Sequence, residues 1–266
     1  MEIQWILIFL LVGSVVGIMA GLLGIGGGGI MVPVLTTIFL YNGIPVEKVV
    51  QLALGTSMAS IIMTSISSLR SHHARHGVIW KIVKKMSKGI IIGTFLATYI
   101  VAQANSFTLA LFFSIFMAYV SIQMIINKKP KPERQLRGNV GLFIAGSGIG
   151  AISAMVSIGG GSLTVPYLTW HNIEIKKAIG TSAAIGLPIS IAGTLGYLIN
   201  GWTSSITDNY TFGFIYLPAV IFISLASVLT APYGVKLVHK LPVSVIKKIF
   251  AVLLIILSIK MFSSIL

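Results

Sequence analysis

The chain has 266 residues, of which 56% are hydrophobic and only 9% are charged, and its mean hydropathy is +0.98. A soluble domain averages about 25% charged residues, so this composition excludes a soluble protein and predicts an all-α polytopic membrane protein embedded in the lipid bilayer. The formal net charge of +14 does not indicate nucleic-acid binding, because nearly all Lys and Arg residues lie in three short segments between apolar runs.

Ten apolar runs predict ten helical segments. In chain order these are 3–23, 30–41, 49–69, 89–104, 107–126, 140–157, 162–170, 177–199, 212–235 and 243–265. The second and seventh runs are too short to cross a membrane alone, since a 12-residue helix covers about 18 Å of a hydrocarbon core about 30 Å thick. The first run predicts a retained span rather than a signal peptide, because Glu2 stands where a signal peptide carries Lys or Arg.

A glycine cluster precedes each short run, and the two clusters belong to an internal repeat. The sequence IGGGGIMVP at 25–33 matches IGGGSLTVP at 158–166 with an offset of 133, and LGTS at 54–57 matches IGTS at 179–182 with an offset of 125. Two ordered matches predict two related transmembrane repeats. We assign them to residues 1–127 and 139–266, joined by a basic linker at 128–138.

The positions of the basic residues predict the topology. If each half crosses the membrane five times, the basic loops at 70–88, 127–139 and 236–248 all face the cytoplasm and the N-terminus is outside. If the short runs instead enter and return, the last basic loop falls outside, which violates the positive-inside rule. Five crossings per half make the second repeat inverted, the architecture with which transporters alternate around a central site.

The interrupted helices predict a binding site for an anion. Backbone groups freed at a break find no water in hydrocarbon, so the break must be buried in protein or line a wet cavity. The unpaired N–H groups and the positive dipole end of each short helix attract an anion. The predicted substrate-binding residues are Gly26, Gly27, Gly28, Gly29, Thr56, Ser57, Gly159, Gly160, Gly161, Ser162, Thr181 and Ser182.

Local features around the breaks allow more detailed expectations. Pro33 and Pro166 are expected in the first turn of the short helices, where a missing N–H costs no hydrogen bond. Ser162 is expected to cap the second short helix, with Gly29 in the same place in the first. For the Gly-Thr-Ser hydroxyls the alternative to anion binding is a bond to the carbonyl one turn earlier.

Two other interpretations of the glycines compete with an anion site. The first cluster formally fits the dinucleotide-binding pattern G-x-G-x-x-G, but no strand precedes it, and the second copy has Ser157 in place of Gly24. Close helix packing explains small residues such as Gly17, Ala20 and Gly21. Three or four consecutive glycines exceed what packing requires and would weaken any helix.

In these motifs the chain resembles the TauE/SafE family of sulfite and organosulfonate exporters. The resemblance rests on residues 24–33, their echo at 158–166 and the two Gly-Thr-Ser motifs, and it covers nearly the whole length. It implies transport of sulfite, sulfoacetate or related organosulfonates across the cytoplasmic membrane. The expected partners are therefore a small-molecule anion, the lipid bilayer and, as an option, a second copy in a homodimer.

Three further function classes provide alternatives to a secondary transporter. An anion-selective channel could use the same helix ends. A membrane enzyme is disfavoured, because the spans carry no His, Asp, Glu or Cys cluster, and the chain has no cysteine at all. A structural protein would leave the duplicated breaks unexplained. We expect no cofactor, and no metal at His72, His73 and His76, which lie in a basic segment without a nearby carboxylate.

Overall fold

The computed structural model describes residues 3–126, 138–202, 210–238 and 243–265. The described helices are α1 (Ile3–Leu23), α2 (Gly28–Tyr41), α3 (Val46–His73), α4 (Trp80–Gln103), α5 (Ser106–Ile126), α6 (Asn139–Val156), α7 (Gly161–Trp170), α8 (Ile175–Asn200), α9 (Leu217–Val238) and α10 (Val243–Ile265). A small antiparallel hairpin, β1 (Thr211–Phe212) and β2 (Ile215–Tyr216), precedes α9. The predicted linker lies outside the described residues except for Gly138, and so does part of the predicted loop at 236–248.

Eight of the described helices are long and apolar enough to cross a membrane. The other two are α2 and α7, with 14 and 10 residues, which are the two short segments that the sequence predicts. Large apolar side chains stand exposed on the outer faces of the long helices, for example Leu96 on α4 and Ile115 on α5. Lipid rather than water is the solvent that such surfaces suit, so the fold is that of a polytopic membrane protein.

The starts of α4 and α9 differ most from the sequence prediction. Helix α4 begins at Trp80 rather than at residue 89, because its first turns carry Lys81, Lys84 and other basic residues that end an apolar run without ending a helix. Helix α9 begins at Leu217 rather than at residue 212, because residues 211–216 form the hairpin. In both cases the residue at which the helix begins differs from the residue at which the hydropathy changes.

Glycine contacts bring two pairs of helices into close approach. Helix α1 packs along α9, and a Cβ added at Gly13 or Gly17 would collide with the α9 backbone. Helix α6 packs along α4, where Gly146 and Gly150 face the α4 backbone in the same manner. Small residues allow such approach in a membrane, where dispersion contacts rather than the hydrophobic effect hold helices together. The packing interpretation therefore holds for Gly17, and for Gly21, which faces Ala231.

The long helices α3 and α8 occupy the middle of the molecule. They pack on each other, α3 also packs on α9, and α8 also packs on α4. Both Gly-Thr-Ser motifs are fully buried on these helices. The short helices α2 and α7 pack against α3 and α8 respectively, so both breaks lie beside the central pair.

Candidate functional site

The two glycine loops contact each other at the centre of the fold. The Gly159 N–H donates a hydrogen bond to the Ile25 carbonyl, with an N···O distance of 2.9 Å. A Cβ on Gly26 would lie 2.8 Å from the Gly159 Cα, and one on Gly28 would overlap the Ser157 carbonyl oxygen. The structure thus brings the two predicted glycine clusters together, although they are 133 residues apart in the chain.

Left-handed glycines start both short helices. Gly27 caps α2 with φ 84°, and Gly160 caps α7 with φ 81°, a backbone region that glycine adopts without a steric penalty. Neither cap makes a side-chain hydrogen bond to the first turn. Both short helices therefore present their first N–H groups, and their positive dipole ends, without a side-chain cap.

The expected capping role of Ser162 is wrong. Gly160 is the cap, and Ser162 is the second residue inside α7, where Gly29 has the equivalent place in α2. The Ser162 hydroxyl is buried and has no hydrogen-bond partner within the described residues. The helices start earlier than expected because a left-handed glycine leads straight into the first turn.

The expected place of the prolines is also wrong. Pro33 and Pro166 are the sixth residues of α2 and α7, so they lie in the second turn rather than the first. At that depth each proline lacks an N–H that an ordinary helix would donate to the carbonyl four residues earlier. Those carbonyls belong to Gly29 and Ser162. The start of each short helix therefore has a carbonyl without its regular helical donor, in addition to N–H groups without a helical acceptor.

The threonines of the Gly-Thr-Ser motifs fasten loops from distant parts of the chain. Thr56 Oγ1 accepts the Tyr216 N–H at 2.9 Å, and Thr181 Oγ1 accepts the Ile79 N–H at 3.0 Å. Tyr216 immediately precedes α9, and Ile79 immediately precedes α4. Neither expected role describes these bonds, which sequence reasoning missed because the partners are 160 and 102 residues away. Each hydroxyl keeps its own proton for a further acceptor.

The glycine before each threonine makes this docking possible. A Cβ on Gly55 would collide with the Phe214 carbonyl, and one on Gly180 would collide with the Gly77 carbonyl. The Gly-Thr pair therefore has a structural task in both places. The pair on α3 holds the segment before α9 against the centre of the fold, and the pair on α8 holds the segment before α4.

The two serines of these motifs differ in their hydrogen bonding. Ser182 Oγ donates to the Gly24 carbonyl at 3.3 Å, which satisfies an acceptor freed at the first break. Ser57 Oγ is fully buried and has no hydrogen-bond partner within the described residues. It lies 3.3 Å from the place that a Cβ of Gly28 would occupy, at the start of α2. Leaving a buried hydroxyl unpaired costs about 1–3 kcal/mol, so Ser57 is a donor that lacks its acceptor.

Side chains from the long helices satisfy the carbonyls at the ends of α1 and α6. The His72 Nε2 atom lies 3.1 Å from the Gly21 carbonyl, and the Tyr197 hydroxyl donates to the Ala154 carbonyl at 2.8 Å. Gly21 and Ala154 are 133 residues apart, while His72 and Tyr197 are 125 apart, the same offsets as in the repeated motifs. Sequence comparison missed this pair because histidine and tyrosine are chemically different.

We expect Tyr197→Phe to lower the free energy of unfolding by about 1 kcal/mol, because it removes one buried hydrogen bond and little else. Thermal unfolding in detergent measures this as a fall in Tm of about 2–4 °C. The matched control is Tyr99→Phe, since Tyr99 is an exposed tyrosine of α4. An equal Tm for Tyr197→Phe and the control would mean that the Ala154 contact does not stabilise the break.

The three histidines that raised the question of a metal do not share one site. His72 faces the Gly21 carbonyl, while His73 Nδ1 accepts the Trp80 indole N–H at 3.2 Å. His76 follows in a turn with φ 56°. Among the described residues, no group of three or more His, Asp or Glu side chains could hold a metal ion.

Comparison with known proteins gives a consistent result. The family model described as "Sulfite exporter TauE/SafE" matches residues 9–261. A "Probable membrane transporter protein" of Haemophilus influenzae is 36% identical over 97% of this chain and 98% of the relative. Another, of Methanocaldococcus jannaschii, is 29% identical over 91% of this chain and 90% of the relative. No solved structure matches this fold.

Proposed function

The chain belongs to the TauE/SafE sulfite exporter family and is a membrane transporter rather than an enzyme, and from this premise we propose that it carries small sulfur-containing oxyanions across the cytoplasmic membrane. Sulfite, sulfoacetate and related organosulfonates are the proposed solutes. The transporter is a secondary one that works by alternating access. It binds the anion between the starts of α2 and α7.

The observation that carries this proposal is the meeting of the two helix starts beside an unpaired donor. Each helix start supplies the equivalent of about half a positive charge, and neither has a side-chain cap. Ser57 adds a buried hydroxyl without an acceptor at the same place. Neutral donors and helix ends bind an anion without a permanent countercharge, which keeps its release fast.

Two matching contacts support the two related halves that the proposed inverted repeat requires. Gly13 of α1 faces Ile223 of α9, and Gly146 of α6 faces Met86 of α4. Gly146 follows Gly13 by 133 residues, and Ile223 follows Met86 by 137. The proposed halves, 1–127 and 139–266, thus make equivalent contacts with each other. Two halves related in this way give a transporter two equivalent conformations, one open to each side.

The packing also supports the proposed topology, with the N-terminus outside and the basic loops at 70–88, 127–139 and 236–248 in the cytoplasm. Gly77, in the turn after α3, packs against Gly180 near the start of α8. The end of α3 and the start of α8 therefore lie on one side of the molecule. Arg75, Lys176 and Lys177 share that side, as the positive-inside rule requires of a cytoplasmic surface.

Sulfite flux into proteoliposomes tests the proposal through Ser57→Ala. The substitution should raise KM for sulfite about tenfold or more, because a hydrogen bond to a charged group is worth about 1.5–3 kcal/mol. The same variant should unfold at an equal or higher temperature, since it removes an unpaired buried hydroxyl. Ser121→Ala, which removes a buried hydroxyl on α5 that bonds within its own helix, is the control.

Three outcomes would contradict parts of the proposal. An unchanged KM in Ser57→Ala would remove Ser57 from the site. Wild-type protein that moves no sulfite or organosulfonate would reject the proposed solutes. Non-saturable flux at channel rates would reject alternating access and favour an anion-selective channel built on the same helix ends.

A further inference from the structure

A separate cavity of about 140 Å³ opens where α3 ends and α8 begins. We call it the basic cavity, and its lining includes His72, Arg75, His76, Glu174, Lys176 and Lys177. Three of these side chains are Lys or Arg and one is a Glu. The cavity therefore has a formal excess of positive charge, counted without the histidines.

The lysines of the basic cavity lie at the end of α8 where the helix dipole disfavours a positive charge. Lys176 and Lys177 lie in the first turn of α8, where the helix dipole is positive and cations are unfavourable. Glu174, the cap of α8, makes no side-chain hydrogen bond to the helix start. Two lysines and a helix start without a side-chain cap thus line one cavity. A bound anion would compensate both.

Hydrogen bonds to nearby carbonyls occupy other members of the lining but not the lysines, whose side chains make no hydrogen bond within the described residues. The Arg75 guanidinium donates to the Val235 carbonyl at 3.2 Å, which ties the turn after α3 to α9. His72 faces the Gly21 carbonyl at the end of α1. The Arg75 cation lies near the carboxyl end of α9, where a positive charge is stabilising, and His72 already has a carbonyl partner, so neither residue needs a ligand. Lys176 and Lys177 have no comparable carbonyl partner within the described residues.

The repeat offers an internal comparison for the same place in the fold. At the Gly-Thr-Ser offset of 125, Lys176 and Lys177 correspond to Gln51 and Leu52 of α3. Both are fully buried, and the Gln51 amide group bonds to Ala104 and Ser106. The equivalent position is therefore buried and neutral, and the first turn of α3, one turn earlier, carries the oppositely charged Glu47 and Lys48. The fold does not require a net positive charge at this place.

We propose that the basic cavity is a binding site for a sulfate-like or phosphate-like oxyanion, supplied as a free solute or as the headgroup of an anionic lipid. The site is distinct from the junction of the glycine loops. Lys177 precedes Ser182 by five residues, or about 7.5 Å along α8. An anion held here lies on the basic side of the molecule, between the end of α3 and the start of α8. The proposal goes beyond the transport function and does not depend on it.

Sulfate binding to the intact protein tests this site. We would measure radiolabelled sulfate by equilibrium dialysis with the protein in nanodiscs of zwitterionic phosphatidylcholine. Lys176→Gln with Lys177→Gln should weaken binding at this site about tenfold or more, because two nearby cations are lost. Lys81→Gln with Lys84→Gln is the matched control. It removes the same charge from exposed positions of α4 that do not line the cavity.

A second arm identifies the source of the anion. Native mass spectrometry would follow retention of phosphatidylglycerol by the same variants after delipidation. Loss of sulfate binding only in the Lys176 and Lys177 variant supports a free-solute site, while loss of retained lipid only in that variant supports a headgroup site. Equal effects in both lysine pairs, or no sulfate and no lipid bound by the wild type, would overturn the proposal.

The test is independent of the transport proposal. Removing two unfavourable charges from the start of α8 should leave Tm unchanged or raise it, so misfolding does not mimic loss of binding. Ser57→Ala should retain sulfate binding at the basic cavity, because Ser57 lies at the other site. A protein that binds sulfate there but moves no sulfite would refute the proposed function and leave the basic cavity in place.

Discussion

Gly28→Ala is expected to reduce sulfite flux about tenfold or more, because the added methyl group would overlap the Ser157 carbonyl and push the two glycine loops apart. Gly161→Ala should have the same effect, since its methyl group would overlap the Gly24 carbonyl. Alanine is the best helix former, and both glycines are helical, so any loss arises from the contact between the loops. Saturable flux into proteoliposomes is the measurement.

Gly148→Ala is the control for both substitutions. Gly148 lies on an exposed face of α6, and a Cβ there meets no other atom within 4 Å. The Gly148→Ala variant should therefore show the sulfite flux of the wild type. The thermal stability of each variant should be recorded alongside flux, because overpacking costs about 1–3 kcal/mol. Wild-type flux in both Gly28→Ala and Gly161→Ala would show that the meeting of the loops is not needed for transport.

Gly17→Leu is expected to destabilise the protein by about 3 kcal/mol or more. Its side chain would collide with Ser227 and Thr230 of α9, and both partners present backbone or helix-bound atoms that cannot move aside cheaply. Thermal unfolding in detergent should show a fall in Tm of about 6–12 °C. Val15→Leu, on the outward face of the same helix, should leave Tm within about 1–2 °C of the wild type.

The Tm values of Gly17→Leu and Val15→Leu decide whether α1 and α9 are in backbone contact. A normal Tm for Gly17→Leu would mean that α1 and α9 are not in backbone contact. A fall in Val15→Leu equal to that in Gly17→Leu would mean that α1 tolerates no change at all, and that the close approach at Gly17 is not the cause.

The sequence predicts much of the helical framework because the membrane imposes simple rules. A span needs a long apolar run, so segments such as α1 and α10 are located within a residue. A glycine cluster before a short run signals a break, and both breaks are where the sequence predicts them. The repeat offsets also indicate which positions correspond. Polar helical turns, such as those carrying Lys81 and Lys84, give no such signal.

The details of the site depend on contacts that no local pattern encodes. Thr56 and Thr181 lie in a repeated motif, yet their acceptor role depends on Tyr216 and Ile79 in other parts of the chain. Ser162 reads as a helix cap until the left-handed Gly160 takes that place. The difference between bonded Ser182 and unpaired Ser57 arises from the packing of one loop on the other. The sequence predicts that the two glycine clusters belong to one site, but it does not predict the hydrogen bonds of these hydroxyls.

The pairing of α1 with α9 has a consequence for biosynthesis. About 200 residues separate these two helices, so at about 5–20 residues per second the ribosome needs about 10–40 s to complete the partner of the first helix. During that time the Gly13 and Gly17 surface of α1 has no α9 to pack against. The nascent chain must hold α1 in the bilayer until nearly the last segment emerges, so a truncated product lacking α9 leaves its first helix without its main neighbour.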